Sequence, residues 1–180
     1  MAKFAVPRTE FVPHPMGQSE GVIYEVRDLG EIETPFGIKH KVAIKVQSFT
    51  QYIPDEDGKP SDKPFSVQKM MNLSGHEASD LYKFRCAALQ VANLTEDQAY
   101  NFDDSELLGV RLGYNVAHTV SQKNGNTYAN IDSVWRLEDQ TKGEIILEPQ
   151  DAQTEGGPSP ATAGAPVGAA SATQDENLPF

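Results

Sequence analysis

Apolar and polar residues alternate along much of the first 140 residues, which is the pattern of β-strands with one buried face. The clearest alternation runs from Ile38 to Gln47, where apolar side chains and His40 at every second position are interleaved with three lysines. Further alternations cover residues 22–27, 110–120 and 128–137, and another apolar segment covers residues 65–73. The Asn124-Gly125 pair between the last two segments is typical of a tight hairpin. The pattern therefore predicts five strands.

Two segments have helical features instead. Ser74 and Glu77 form a capping-box pattern, which predicts an N-cap at Ser74. The apolar residues behind it recur at helical spacing and predict a helix of about four turns: Leu81, Phe84, Ala88 and Val91. Thr95 and Gln98 form a second capping box, which predicts a short helix ending near Tyr100.

The resulting order is strand, strand, strand, helix, strand, strand. This is the element order of the five-stranded oligonucleotide-binding (OB) barrel, whose helix lies between strands 3 and 4. We therefore expect a mainly β fold with an extended, Pro-containing arm over residues 1–20 and an OB domain over residues 21–147. Residues 148–180 form a tail whose linker is composed mainly of Ala, Gly, Pro, Thr, Ser and Gln. Such a composition buries too little apolar surface to fold, so the tail is predicted to be disordered.

The charge is unevenly distributed. The net charge of −11 argues at first against a nucleic-acid partner, but all fifteen Lys and Arg lie in residues 1–147, and seven of them fall between Arg27 and Lys69. A local basic face is compatible with an acidic protein. The single cysteine, Cys86, excludes an intramolecular disulfide, and no apolar run is long enough for a membrane helix. Without a secretory signal pattern at its start, the chain is expected in the cytoplasm.

The most specific feature is the end of the tail. The linker is almost free of large apolar residues, yet it ends in Leu178, Pro179 and Phe180 beside Asp175 and Glu176. A Phe side chain next to the α-carboxylate is a compact anchor for a partner with an apolar pocket and a nearby cation. We interpret these five residues as a partner-binding tip.

The tip resembles that of bacterial single-stranded DNA-binding proteins, which have an acidic run followed by an aliphatic residue, Pro and Phe; Asn177 departs from that pattern. The barrel region, over residues 20–137, is more similar to phage-encoded single-stranded DNA-binding proteins. Short motifs carry this resemblance: Asp28-Leu29-Gly30, Leu81-Tyr82-Lys83-Phe84, Asn101-Phe102-Asp103, Leu107-Leu108-Gly109 and Tyr128-Ala129-Asn130-Ile131. The resemblance implies sequence-tolerant binding of single-stranded DNA during replication, recombination or repair, in the host cytoplasm, with replication or recombination enzymes as partners of the tip.

Sequence-tolerant binding of single strands requires cations for the backbone and aromatic faces for the bases. The candidates lie on or just after the clearest strand and in the second hairpin: Lys39, Lys41, Lys45, Phe49, Tyr52 and Lys123. Tyr24 and Phe36 are further stacking candidates, although either can equally belong to the core. Trp135 is expected at the core or the end of the barrel.

Catalytic chemistry finds little support. The four histidines have no metal-ligand spacing, and no catalytic residue, cofactor or metal is predicted. Two alternatives remain open. One is an OB-like interaction module or virion-associated protein that does not bind DNA. The other is a nuclease that uses Asp103, Asp104 and Glu106 with a divalent metal, although a solvated turn is the simpler interpretation. The sequence does not determine whether the chain forms a homo-oligomer.

Overall fold

A computed structural model describes residues 12–122, 124–141 and 143–149. Its main feature is one five-stranded antiparallel sheet in the order β3-β2-β1-β4-β5. The strands are β1 (Gly17–Thr34), β2 (Gly37–Pro54), β3 (Pro60–Asn72), β4 (Arg111–Val120) and β5 (Thr127–Arg136). The mainly β fold and the five strands predicted from the alternation are confirmed.

The two N-terminal strands are longer than the alternation predicted. Residues 17–20, expected in the N-terminal arm, instead pair with residues 113–116 of β4. These residues are Gly, Gln, Ser and Glu, so no apolar alternation marks them, and their strand conformation comes from the cross-strand partner. β2 likewise continues to Pro54, beyond the predicted end at Gln47.

β1 bends as it crosses the sheet. It pairs with β4 over residues 17–22 and with β2 over residues 21–34, with register shifts between Ile23 and Glu25 and between Asp28 and Gly30. Such bulges increase local bending and twist. The two edge strands approach each other, since Lys69 Nζ in β3 donates to the carbonyl of Ile131 in β5 at 2.8 Å. Within the described residues the sheet stays open, because the backbone ladders do not include one between β3 and β5.

The core lies between one side of the sheet and helix α1 (Asp80–Leu89). Leu81, Phe84 and Ala88, which the spacing predicted, are buried, and so are Tyr82 and Arg85, which it did not predict. The predicted N-cap at Ser74 is wrong, because Ser79 caps the helix by accepting from Tyr82 N. Ser74 instead accepts a hydrogen bond at its carbonyl from Ser79 Oγ at 2.9 Å. The helix ends at Leu89, because its C-cap residue Gln90 adopts a left-handed conformation, and Val91 therefore lies outside it. With 10 residues the helix is shorter than the predicted four turns.

A second helix, α2 (Glu96–Tyr100), follows the first. Its capping box is formed by Thr95 and Gln98, as the sequence predicts. A 3₁₀ turn over Asp104–Glu106 then leads into β4. Both elements begin at a side chain that accepts a backbone N–H, Thr95 for α2 and Asp103 for the turn, so local sequence determines both starts.

The segment before β1 is fixed to the sheet by a buried histidine. His14 Nδ1 donates to the Pro15 carbonyl at 2.9 Å, so the neutral ring accepts at Nε2 from the Tyr114 hydroxyl at 3.0 Å. His118 Nε2 in turn donates to the carbonyl of His14 at 2.7 Å. Burial lowers the pKa of His14 and raises that of Tyr114. The neutral form of His14 is therefore part of the folded structure.

Candidate nucleic-acid interface

The side of β1, β2 and β3 that faces away from the core carries the candidate site. Val42, Ile44 and Val46 of β2 point into the core, so the residues between them point outward. We call this side of the three strands the outer face. Its members follow from the cross-strand register in three rows: Arg27, Ala43 and Met70; Gly30, Lys41 and Asn72; and Ile32 and Lys39.

Three cations lie together on this face. Lys39 is exposed, and Lys41 and Arg27 are half-buried. The ion pairs of the described residues are His40–Asp28, Lys45–Glu25 and Arg85–Glu106, so they leave these three cations available. Ala43 is a small residue between Arg27 and the largely exposed Met70 in the same row. The outer face therefore combines positive charge with an accessible apolar side chain.

Lys45 has the predicted position but not the predicted environment. Its Nζ lies 2.8 Å from Glu25 Oε2, and the two side chains are 14% and 4% exposed. The register shift after Ile23 is the cause, because it places Glu25 directly opposite Lys45. The Lys45 charge is therefore balanced within the protein, which weakens its candidacy as a phosphate contact.

The predicted aromatic contacts Phe49 and Tyr52 lie within β2, not in the loop expected after it. Both are half-buried. Phe49 stacks on the guanidinium of Arg111, with 5.3 Å between Cζ and the ring centroid. Eight residues of strand separate Phe49 from Lys41, or about 26 Å. The structure therefore does not bring the two predicted aromatics together with the lysines at the other end of β2.

The other aromatic residues considered from the sequence differ in their exposure. Tyr24 is buried, and its hydroxyl hydrogen-bonds to Ser66 Oγ at 3.0 Å, so it belongs to the core. Burial also raises its pKa. The Trp135 indole covers Gly113, where a Cβ would overlap the ring. Trp135 is still 38% exposed, which fits the expectation of a residue at the end of the sheet.

Phe36 is an accessible aromatic residue three positions before Lys39 in the chain. It occupies the tight turn between β1 and β2, where Thr34 Oγ1 donates to the Gly37 carbonyl at 2.7 Å and Gly37 adopts a φ of 98°. Phe36 is 89% exposed and Ile38 is 66% exposed. Lys39 follows Ile38 in β2, so the exposed apolar side chains of the turn lie next to a cation. Sequence reasoning left Phe36 as a further candidate, because only its exposure in the folded structure shows that it lies outside the core.

The carboxylates of the nuclease alternative have structural partners. Glu106 Oε2 accepts from Nη2 of the buried Arg85 at 2.7 Å, and that guanidinium also lies over the Phe102 ring. Asp103 accepts from the side chain and backbone of Ser105, and these hydrogen bonds lower its pKa. In the described part of the chain, no group of three or more His, Cys, Asp and Glu residues is placed to hold a metal ion. These contacts stabilise the turn that leads into β4.

Some predicted residues lie outside the described ranges. They are Lys123 of the second hairpin and the whole tip: Asp175, Glu176, Leu178, Pro179 and Phe180. No helix among the described residues is long and apolar enough to span a membrane. Comparison with known proteins adds no family: no protein-family model matches this chain, and no curated protein matches it significantly.

Proposed function

We propose that this chain is a sequence-tolerant single-stranded DNA-binding protein whose sheet is an OB barrel. The strand order supports the barrel, since strands 3 and 5 lie at the two edges that an OB fold brings together. The hydrogen bond from Lys69 to the backbone of Ile131 supports it as well, because it links those two edges. The helix between β3 and β4 also lies where an OB fold has one.

The observation that carries the DNA-binding proposal is the juxtaposition of Arg27, Lys39 and Lys41 on the outer face with the exposed Phe36 at its end. Lys39 and Lys41 are about 6.6 Å apart along β2, since they are two residues apart in one strand. A single strand lying along β2 would place its phosphates on these cations and a base on Phe36. Neither contact reads base identity, so the binding would be tolerant of sequence.

The tip supplies the second half of the proposal. Asp175, Glu176, Leu178, Pro179 and Phe180 would bind a replication or recombination enzyme while the outer face holds DNA. The anchor is the terminal Phe with its carboxylate, and the two acidic residues steer the encounter. The protein would then act as a non-enzymatic coating and recruiting factor, in the host cytoplasm if a phage encodes it.

The direct experiment is fluorescence anisotropy with a labelled oligo-dT titrated with full-length protein at several salt concentrations. We expect tight binding that weakens steeply with salt. A duplex of the same length is the control and should bind more weakly, because its bases are not available for stacking. Absence of oligo-dT binding at low salt would refute the proposal.

An interaction module without DNA binding is the second candidate. Two observations favour it: the net charge of −11 and the balancing of Lys45 by Glu25 on the outer face. This candidate predicts weak oligo-dT binding even at low salt, together with capture of a protein partner by the tip. The same titration therefore separates the two functions.

A further inference from the structure

The chain after β5 returns across the sheet. We call the described residues of this segment, 138–141 and 143–149, the strap. Gln47 of β2, fully buried, holds it with both ends of its side-chain amide: Nε2 donates to the Glu144 carbonyl at 2.7 Å, and Oε1 accepts from the N–H groups of Ile146 at 3.1 Å and Leu147 at 2.8 Å. Three hydrogen bonds from one side chain therefore fix the strap on the outer side of β2.

A second set of contacts holds the start of the strap to β4. Gln140 bonds both backbone groups of Arg111: Oε1 accepts from its N–H at 3.0 Å and Nε2 donates to its carbonyl at 2.9 Å. Arg111 Nη2 donates to the carbonyl of Gly143. Gly143 has a φ of 100°, and a Cβ at this position would overlap the Phe49 ring. The strap can approach this closely only because residue 143 is glycine.

The surface beneath the strap continues the outer face. Val22 pairs with Gln47 on one side and Arg111 on the other, so these three residues form a row on that face. Arg111 is buried, and its guanidinium lies over Phe49. Its Nη1 has no hydrogen-bond partner among the described residues. An unsatisfied buried donor on a guanidinium is costly, and an anion would satisfy it.

We propose that the strap is a displaceable cover over a second DNA-binding segment formed by Arg111 and Phe49. This inference rests on the proposed function. A single strand that follows β2 beyond Lys41 reaches the strap, and it can continue only by displacing residues 140–147. Arg111 then binds a phosphate through Nη1 and Nη2, and Phe49 stacks on a base. Short strands occupy the Lys39 end alone, whereas long strands also occupy this second segment.

The first test is amide hydrogen exchange of full-length protein, read at Ile146 and Leu147, whose N–H groups Gln47 binds. A saturating long oligo-dT, for example a 30-mer, should accelerate exchange at these two amides at least tenfold. A saturating short oligo-dT, for example a 6-mer, should leave them protected. Binding of the long strand with unchanged or increased protection would overturn the strap inference and leave the proposed function standing. Absence of any oligo-dT binding would overturn both.

The second test releases the strap by substitution. Gly143→Val clashes with Phe49, and Gln47→Leu removes all three hydrogen bonds to the strap. Both should accelerate exchange at residues 146 and 147 without DNA and tighten binding of the long oligo-dT at least threefold. Adding Phe49→Ala to Gln47→Leu, which releases the strap without a clash at Phe49, should abolish that gain. Gly58→Val is the matched control, because Gly58 also has a positive φ (77°) but open space around it, so it should change neither readout.

Each outcome of the second test decides the question. Faster exchange without tighter binding of the long strand would show that the covered residues do not bind DNA. Unchanged exchange in both variants would show that the contacts of Gln47 and Gly143 do not hold the strap. Either result overturns the inference.

Discussion

Replacing Arg27, Lys39 and Lys41 with Gln, singly and together, tests whether the outer face binds phosphates. Each cation that neutralises a phosphate of a single strand contributes about 0.7 to the slope of log K against log salt. The three cations lie on one face with no ion pair among the described residues, so each is free to contribute. We therefore expect each single variant to flatten the slope by about 0.7 and the triple variant by about 2.

The expected magnitude is readily measurable. Over a fourfold rise in salt, from 50 to 200 mM, one phosphate contact accounts for about a 2.6-fold loss of affinity, and three account for about 18-fold. Anisotropy titrations with a short oligo-dT at four salt concentrations resolve such slopes. Lys83→Gln is the control, because Lys83 is exposed on α1, away from the outer face, and carries the same charge.

The slope separates a local contact from a general effect of charge. If every substitution lowered affinity equally, Lys83→Gln included, the net charge of the protein alone would be responsible. If the triple variant kept the wild-type slope, the outer face would not be where phosphates bind. In either case the assignment of Arg27, Lys39 and Lys41 would be wrong, even if the protein still bound DNA.

Four further predictions follow from other parts of the chain. Phe36→Ala should weaken oligo-dT binding by about 1–3 kcal/mol without changing the salt slope, because it removes stacking and no charge; unchanged affinity in the same titration would argue against Phe36. Deletion of Phe180 should abolish pull-down of replication or recombination enzymes and leave DNA affinity intact; equal recruitment by both forms would refute the role of the tip. Removal of residues 148–180 should tighten DNA binding at low salt, because that segment carries five acidic residues and no Lys or Arg; unchanged affinity at low salt would contradict it. Burial depresses the pKa of His14 below its unfolded value, so the contribution of the neutral ring to the free energy of unfolding should be fully present above about pH 6.5 and lost as the pH falls towards the folded pKa. The urea midpoint of the wild type should therefore fall more between pH 7 and pH 5 than that of His14→Gln. Parallel curves for the two proteins would contradict this prediction.

The parts of the fold that sequence predicted well are those determined by local chemistry. β4 and β5 match their predicted alternations to within one residue at each end. The short helix α2 begins where its capping box predicts. The longer helix α1 shows the limit of the same reasoning, because Ser74 and Ser79 both precede it and only the folded backbone selects Ser79.

Only part of the candidate site could be predicted from the sequence, because the ion pairs of its side chains depend on the register between β1 and β2. The alternation of β2 places Lys39, Lys41 and Lys45 on one side, and the structure keeps them there. A bulge one strand away then pairs Lys45 with Glu25 and leaves the other two available. The sequence of β2 alone does not distinguish the three lysines. Which of them forms an ion pair is determined by the pairing of β2 with β1.

The same dependence on long-range contacts explains why Phe49 and Arg111 were not recognised as a pair. They are 62 positions apart in sequence and meet only because β1 pairs with β2 on one side and β4 on the other. The strap then covers them through backbone contacts that need one glycine and two glutamines, none of which is distinctive in sequence. The proposed DNA-binding surface therefore has two parts, which are indicated by different features of the sequence and the fold. The part around Lys39 can be inferred from the periodicity of β2 and from the aromatic residue in the preceding turn. The part around Arg111 can be inferred only from the register of β2, β1 and β4 and from the path of the chain after β5.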